Sequence, residues 1–306
     1  MRRLLFATAS LTLGLSGCFP SVPDTSSASS VPASSASPSR RSPSVSPPAA
    51  ASPSAGRLAV KTALPQRTFT FEGKTSQYVV YADHLDGKKP RGVLFYLHGD
   101  GYPEFARGDS AYVLESFRQV ARERDLLLVA PVTPDKSTKT WWRDEDSTAW
   151  LRAFILEVYK RHGVGRDNVW LAGFSGGAEE ITNFLMAENS ELFTGGGALM
   201  VGGGSFDPES DFSPQPGAGL KSKFTMVWLV GSQDSPGKGG SDGSFDAVGE
   251  SAAALRTYRG IGMKRASRVC VPGKDHNDSI RSGAGMLRRM LEGQSVSDAP
   301  CPDEKG

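Results

Sequence analysis

The chain has 306 residues, in which 35 Lys and Arg balance 33 Asp and Glu to a formal net charge of +2 at pH 7. Arg2 and Arg3 account for this excess, and a chain without them is formally neutral, which argues against nucleic-acid binding by bulk electrostatics. The four histidines are isolated and no glycine run has a dinucleotide or phosphate pattern, so we expect neither a metal ion nor a cofactor.

The first residues have the features of a bacterial export signal. Met1-Arg2-Arg3 is positively charged, and residues 4–15 form an apolar stretch that is too short for a permanent membrane span. The stretch ends in Leu15-Ser16-Gly17-Cys18, which resembles a lipobox, where the cysteine thiol is diacylated before cleavage. We therefore predict a signal peptide at 1–17, lipidation of Cys18 and a location at the bacterial cell membrane or envelope. The alternative is an ordinary cleavable signal with a chance cysteine.

The next segment, 18–56, is predicted to be a disordered tether. It consists almost entirely of Ser, Pro, Ala and Val, which offer too little apolar surface to offset the entropy of ordering the chain. Such a tether lets a domain stand away from the membrane that holds the lipid. The remainder, 57–306, has the length of one α/β domain.

Strand-like and helical patterns alternate through this domain. The predicted strands cover 68–72, 77–81, 92–97, 126–130, 168–173, 197–201, 224–230 and 268–271. The predicted helices cover 110–124, 147–161, 178–188, 245–259 and 280–292. This alternation predicts a mostly parallel central sheet with helices on both faces, after an antiparallel opening pair, and ligands beyond the carboxyl ends of the strands.

The pentapeptide Gly173-Phe174-Ser175-Gly176-Gly177 joins a predicted strand to a predicted helix. A sharp turn here would expose the hydroxyl of Ser175 as a nucleophile, and Gly173 and Gly177 would remove side chains that otherwise clash. The N–H of Gly176 would point toward an oxyanion at the helix N-terminus. The alternative is a glycine-rich loop that happens to contain a serine.

A nucleophilic serine needs a histidine base. His84 lies in a polar loop and His162 ends a helical segment, so both are expected on the surface. His98 follows the strand 92–97 directly. We predict His276 as the base because it comes after the nucleophile and after a strong acid candidate; the alternative is a surface loop histidine.

The acid that orients this base is predicted to be Asp234. It follows the most continuous apolar strand, 224–230, so its carboxylate should lie at the carboxyl end of that strand. Asp207 and Asp211 are rivals, since both lie in the long loop after 198–201. The order of serine, aspartate and then histidine along the chain is the one found in α/β-hydrolases.

The loop His98-Gly99-Asp100-Gly101 is predicted to supply the second half of an oxyanion hole. Its glycines let the backbone approach a substrate, so an N–H from about Asp100 could join that of Gly176. His98 itself is then structural.

Two further regions bear on substrate. Adjacent Trp141 and Trp142 in the loop after 126–130 could stack on an aromatic acyl group or a sugar ring; alternatively, one of them anchors the loop to the core. The glycine-rich and proline-rich segment 202–223 could be a flap over the site or simply a variable surface loop.

Cysteine usage agrees with export. With Cys18 carrying lipid, Cys270 and Cys301 remain, and an oxidising compartment would permit a disulfide that fastens the C-terminal tail to the strand before His276. The alternative is two free thiols.

These features together resemble an α/β-hydrolase-fold serine esterase, and more narrowly the secreted polyhydroxybutyrate depolymerase and feruloyl esterase-like group. The resemblance rests on the His98-Gly99 loop, on Tyr-Lys-Arg-His-Gly-Val at 159–164 leading through 167–169 into the pentapeptide, and on the ordered Asp234 and His276. It covers about 68–291, and it implies the α/β-hydrolase fold and ester hydrolysis without a cofactor.

The chain also departs from that group. Ser-Gly-Gly stands at 175–177 where these relatives often have Ser-Ala-Gly or Ser-Asn-Gly, and no polymer-binding module is visible. The natural ester stays open, whether small molecule or polymer. A serine peptidase of the same fold and a non-catalytic surface-binding lipoprotein are the alternatives.

Overall fold

The computed structural model describes residues 67–302 except 102, 106–110, 138–141, 143–144, 207–213 and 241–242. The chain divides into two units, 1–58 and 59–306, and every described residue belongs to the second. The predicted signal peptide 1–17, the lipidation site Cys18 and the tether 18–56 lie outside the described residues. No helix within the described ranges is long and apolar enough to cross a membrane.

A single eight-stranded sheet organises the described residues, with the strand order β1-β2-β4-β3-β5-β6-β7-β8. The strands are β1 (Arg67–Phe71), β2 (Lys74–Tyr81), β3 (Gly92–Leu97), β4 (Leu126–Pro131), β5 (Val169–Phe174), β6 (Gly196–Val201), β7 (Thr225–Gly231) and β8 (Arg265–Val271). Strand β2 runs antiparallel to β1 and β4, and all other neighbours are parallel. The antiparallel opening pair and the mostly parallel sheet were both expected from the sequence.

Helices cover both faces of this sheet. They are α1 (Ala111–Glu123), α2 (Glu145–His162), α3 (Gly176–Glu179), α4 (Met186–Glu188), α5 (Ala218–Lys223), α6 (Ala247–Gly260), α7 (His276–Ser279) and α8 (Gly283–Leu291). Phe95 on β3 packs in the same buried cluster as Phe154 of α2, whereas its neighbour Tyr96 packs with Phe117 of α1 and Leu287 of α8. Because successive strand residues face opposite sides, the sheet is buried on both, and β3 reads as a continuous apolar run.

The helix after β5 differs from the sequence prediction of one helix over 178–188. It begins at Gly176 and is interrupted by a π-helical turn, Glu180–Leu185, between α3 and α4. The hydroxyl of Tyr258 donates to the carbonyl oxygen of Thr182 within this turn at 2.5 Å, and the Thr182 hydroxyl donates to the carbonyl of Ser205 at 2.6 Å. Such partners from distant segments are invisible to local sequence patterns, and π turns often occur at functional sites.

The C-terminal tail closes the exposed edge of β8. The backbone N–H of Cys270 donates to the carbonyl of Ala299 at 2.8 Å, and the N–H of Ala299 donates to Arg268 at 2.9 Å. A disulfide joins Cys270 to Cys301 and both cysteines are buried, which confirms the predicted pairing. The tail therefore pairs with a strand edge that would otherwise present free N–H and C=O groups.

Removing this disulfide should destabilise the fold. The two cysteines are 31 residues apart, and closing a loop of that length stabilises a protein by about 3 to 4 kcal/mol in the chain-entropy model. We expect Cys270→Ala and Cys301→Ala each to lower the free energy of unfolding in urea, and the double substitution to cost no more than either single one. Two single effects that add in the double variant would contradict the bond.

Candidate active site

Ser175 occupies a sharp turn between β5 and α3. Its backbone has φ 50° and ψ −117°, a conformation that non-glycine residues rarely adopt. The turn is held by the N–H of Ser175, which donates to the carbonyl of Val201 at 2.9 Å. The side chain of Ser175 is half-buried. In hydrolases, a turn of this kind exposes the nucleophile above the carboxyl ends of the strands.

The glycines around Ser175 allow chain segments to approach too closely for side chains. A Cβ at Gly173 would lie 2.3 Å from the carbonyl oxygen of Gly177, and a Cβ at Gly177 would lie 2.3 Å from that of Leu97. Both glycines were expected from the sequence to remove clashing side chains. A Cβ at Gly176 would lie 2.0 Å from a carboxylate oxygen of Asp100, a close approach that the sequence did not indicate.

Asp234 and His276 form a buried pair. The Nδ1 of His276 lies 3.0 and 3.1 Å from the two carboxylate oxygens of Asp234, and the residues are 3% and 0% exposed. The rings of Phe174 and Phe245 pack against the imidazole, with centroids 4.9 and 5.5 Å away. The contact with the carboxylate fixes the imidazole so that Nδ1–H donates to Asp234.

Backbone hydrogen bonds join the two loops that carry this pair. The N–H of Ser232 donates to the carbonyl of Val271 at 3.0 Å, and the N–H of Gln233 donates to that of Lys274 at 2.8 Å. Because β7 and β8 are parallel neighbours, these loops leave the sheet at the same edge. Asp234 and His276 therefore meet although they are distant in sequence.

The two residues after β6 bring Ser175 beside that pair. Gly202 has φ +58°, and a Cβ on it would lie 3.3 Å from both Asp234 Oδ2 and His276 Cε1. A Cβ on Gly203 would lie 3.1 Å from the carbonyl oxygen of Ser175. Ser175 and His276 make no hydrogen bond to each other in the described structure, and such bonds are often long until substrate binds.

The loop after β3 lies against the same turn. A Cβ on Gly99 would lie 2.8 Å from the ring of Phe174, and the Asp100 carboxylate contacts Gly176. The two residues predicted to supply oxyanion N–H groups, Asp100 and Gly176, are thus brought together.

His98 is a structural residue, as the sequence suggested. It is fully buried, its Nδ1 donates to the carbonyl of Gly99 at 2.6 Å, and its Nε2 accepts from the N–H of Thr133 at 3.1 Å. Burial lowers the pKa of His98 to about 4, so the ring is neutral at pH 7. His84, in a 3-10 turn, and His162, at the end of α2, are both partly exposed.

Trp142 anchors its loop to the core, which is the alternative that the sequence left open beside a substrate-stacking role. The side chain is fully buried, with its ring centroid 4.9 Å from that of His98, and its Nε1–H donates to the carbonyl of His98 at 3.1 Å. A buried indole needs an acceptor for its N–H, and this carbonyl supplies one. Trp141, Asp207 and Asp211 lie outside the described residues.

Glu179 is a residue of the site that the sequence analysis missed. Its carboxylate, 1% exposed, accepts hydrogen bonds from the N–H groups of Gly204 at 2.7 Å and Ser205 at 3.0 Å, and from the amide of Asn183 at 3.0 Å. It therefore fixes the start of the segment 202–223 above Ser175. The spacing of four residues from Ser175 on a helical pattern is a signal that could have identified it.

No protein-family model matches the sequence, and no curated protein matches it. Many solved structures are similar in fold, among them the following three. A thermostable esterase has a TM-score of 0.53 at 17% identity, covering 76% of this chain and 63% of that one, so this chain spans less than two thirds of it. Est1E from Butyrivibrio proteoclasticus has a TM-score of 0.50 at 13% identity, covering 75% and 98%. LpqC, a poly(3-hydroxybutyrate) depolymerase from Bordetella parapertussis, has a TM-score of 0.51 at 15% identity, covering 76% and 91%.

The strand order, the turn at Ser175 and these likenesses show the α/β-hydrolase fold. The fold predicted from the sequence is confirmed. In the part of the chain that the structure describes, no group of three or more His, Cys, Asp or Glu side chains could hold a metal ion.

An alanine at Gly177 should destabilise the protein because its Cβ would clash with backbone atoms that cannot move aside. We expect Gly177→Ala to lower the free energy of unfolding by about 3 kcal/mol, measured in urea. Gly285→Ala is the matched control, since a Cβ there meets no atom within 4 Å in α8 and replacing a helical glycine stabilises by up to about 1 kcal/mol. Equal midpoints for Gly177→Ala and the unaltered protein would contradict the close approach.

His98 should make stability depend on pH. The pKa of His98 in the folded protein is about 4, below the ordinary 6.5, so the unfolded chain binds the proton first as the pH falls. The contribution of neutral His98 to the free energy of unfolding is therefore complete above pH 6.5 and is lost as the pH falls toward 4. The loss amounts to about 3 kcal/mol. Urea unfolding at pH 7 and pH 4.5 should show a smaller difference for His98→Asn than for the unaltered protein, and parallel behaviour of the two would exclude this role.

Proposed function

We propose that the protein is a serine hydrolase that cleaves carboxylic esters through a Ser175-His276-Asp234 triad and an acyl-enzyme intermediate. The observation that carries the proposal is the buried Asp234–His276 pair beside a serine on a strained strand-to-helix turn. A carboxylate and an imidazole that only faced solvent would not be buried in this way. A serine without a catalytic role would have no reason to adopt a strained backbone conformation.

The mechanism follows from the positions of these groups. His276 removes the proton of the Ser175 hydroxyl as its oxygen attacks the ester carbonyl, and Asp234 stabilises the imidazolium that forms. The N–H groups of Gly176 and Asp100 bind the tetrahedral oxyanion. The imidazolium then gives its proton to the departing alcohol, and water repeats the cycle on the acyl-enzyme.

The choice of an ester rests on the neighbours as well as on the site. One similar structure is described as a thermostable esterase, and another, LpqC, as a poly(3-hydroxybutyrate) depolymerase. Identities of 17% and 15% leave the acyl group and the alcohol open. The substrate class that we propose is therefore a carboxylic ester, small or polymeric.

The proposal places this activity outside the cytoplasm, on a lipid anchor at Cys18. Support comes from the charged and apolar first residues, the Leu-Ser-Gly-Cys sequence at 15–18 and the tether composition of 18–56. The disulfide between Cys270 and Cys301 is of a kind that persists in oxidising compartments.

Substitution of the nucleophile tests the function directly. Ser175→Ala should lower the turnover of p-nitrophenyl esters by several orders of magnitude and abolish labelling by a fluorophosphonate, with an unchanged circular dichroism spectrum. Asp234→Asn should lower kcat by roughly 10⁴-fold because His276 loses the acceptor that fixes its tautomer. Ser222→Ala, which removes an exposed hydroxyl on α5, is the matched control.

The outcomes separate the candidate functions. Labelling at Ser175 with ester turnover supports the esterase, and a panel of acyl chain lengths then defines the acyl pocket. Turnover of peptides in preference to esters would replace it with a peptidase. A folded protein with neither labelling nor turnover would favour a non-catalytic binding scaffold, and undiminished activity in Ser175→Ala would end the proposal.

A further inference from the structure

We propose that Glu104 and Trp142 are positioning residues that aim the oxyanion N–H of Asp100, by clamping the preceding peptide unit from both sides. The inference rests on the proposed function, because it assigns a role within that same site. Neither residue touches the reacting atoms. Both act through the backbone of the loop after β3.

The first peptide unit of this loop joins His98 to Gly99, and both of its polar groups are held. The carbonyl of His98 accepts from Trp142 Nε1 at 3.1 Å, and the N–H of Gly99 donates to Glu104 Oε1 at 3.1 Å. Both side chains are buried, at 0% and 3% exposure. A peptide plane bonded at both edges by buried side chains cannot rotate without breaking one of the two bonds.

The next peptide unit joins Gly99 to Asp100, and it is the one that carries the proposed oxyanion donor. Its carbonyl accepts from His98 Nδ1 at 2.6 Å. The described residues contain no cis peptide bond, and in a trans peptide the C=O and N–H point in opposite directions. The bond to His98 therefore directs the Asp100 N–H away from the buried imidazole, provided that the preceding unit keeps its orientation.

Glu104 is itself fixed by a second donor. The hydroxyl of Tyr96, fully buried on β3, donates to the same Oε1 at 2.8 Å. Burial raises the pKa of Glu104, and the nearby charge of Asp100 raises it further. A glutamine could keep the accepting oxygen at this position, whereas an alanine could not.

The expected effect lies in the transition state. Oxyanion donors act only when they already point to where the charge develops, and loss of one donor costs about 10² to 10³ in kcat. If the Asp100 N–H is no longer held in one direction, we expect kcat to fall by a part of this factor. The effect should fall on kcat with KM nearly unchanged, because the ground-state ester carbonyl binds the hole weakly.

Trp142 offers a matched experiment, with Trp150 as its control. Both indoles are fully buried, but within the described residues Trp150 Nε1 has no hydrogen-bond partner, so Trp150→Phe removes similar volume without removing a bond. We expect Trp142→Phe to lower kcat about tenfold or more and to weaken a trifluoromethyl ketone inhibitor, which forms an oxyanion adduct, by a similar factor. Trp150→Phe should change both by less than about twofold.

Glu104 supplies the second, independent arm. Glu104→Ala should lower kcat like Trp142→Phe, and Glu104→Gln should restore most of that loss. All rates are referred to active sites counted by complete fluorophosphonate labelling of the full-length protein, so that a poorly folded fraction does not enter kcat. The clamp would be overturned if Trp142→Phe and Trp150→Phe had equal kcat per labelled site. It would also be overturned if Glu104→Gln had a kcat as low as that of Glu104→Ala. Absent labelling and turnover in the unaltered protein would instead overturn the proposed function.

Discussion

The site depends on one contact, between the carboxyl ends of the neighbouring parallel strands β3 and β5. Their register pairs Leu97 with Gly173, so both strands leave the sheet at the same level. The absence of a side chain at Gly177 then lets the turn at Ser175 lie directly on the carbonyls of Leu97 and His98. This contact places the loop that carries Asp100 beside the start of α3, where the Asp100 carboxylate lies against Gly176.

Buried acids surround this contact, and each is held by donors from a different part of the chain. Asp234 accepts a hydrogen bond from the imidazole of His276, and Glu179 accepts hydrogen bonds from N–H groups of the loop after β6. Glu104 accepts hydrogen bonds from a backbone N–H and from the hydroxyl of Tyr96. An unpartnered carboxylate in such a place would cost several kcal/mol. These acids therefore fix the positions of the loops, because a loop that moves away leaves a buried carboxylate without its hydrogen-bond donors.

The sequence predicted what is local and failed where partners are distant. The strands, the turn at Ser175 and the order of Asp234 and His276 follow from periodicity and from the position of each residue after an apolar run. Trp142 was ambiguous because a tryptophan in a polar loop has the same sequence signature whether it faces solvent or donates to His98. The π turn after α3 and the bonds of Glu179 depend on partners such as Tyr258 and Ser205, which are distant in sequence and whose proximity only the folded chain establishes.

The disulfide that fastens the tail has a topological consequence for the base. Cys270 precedes His276 and Cys301 follows it, so His276 lies inside a covalently closed ring of the chain, together with α7 and α8. A single cut by a protease anywhere in that ring leaves the two fragments joined through sulfur. When breaks fall only within this ring, loss of the base therefore requires two of them, one on each side of His276, or one break and a reductant.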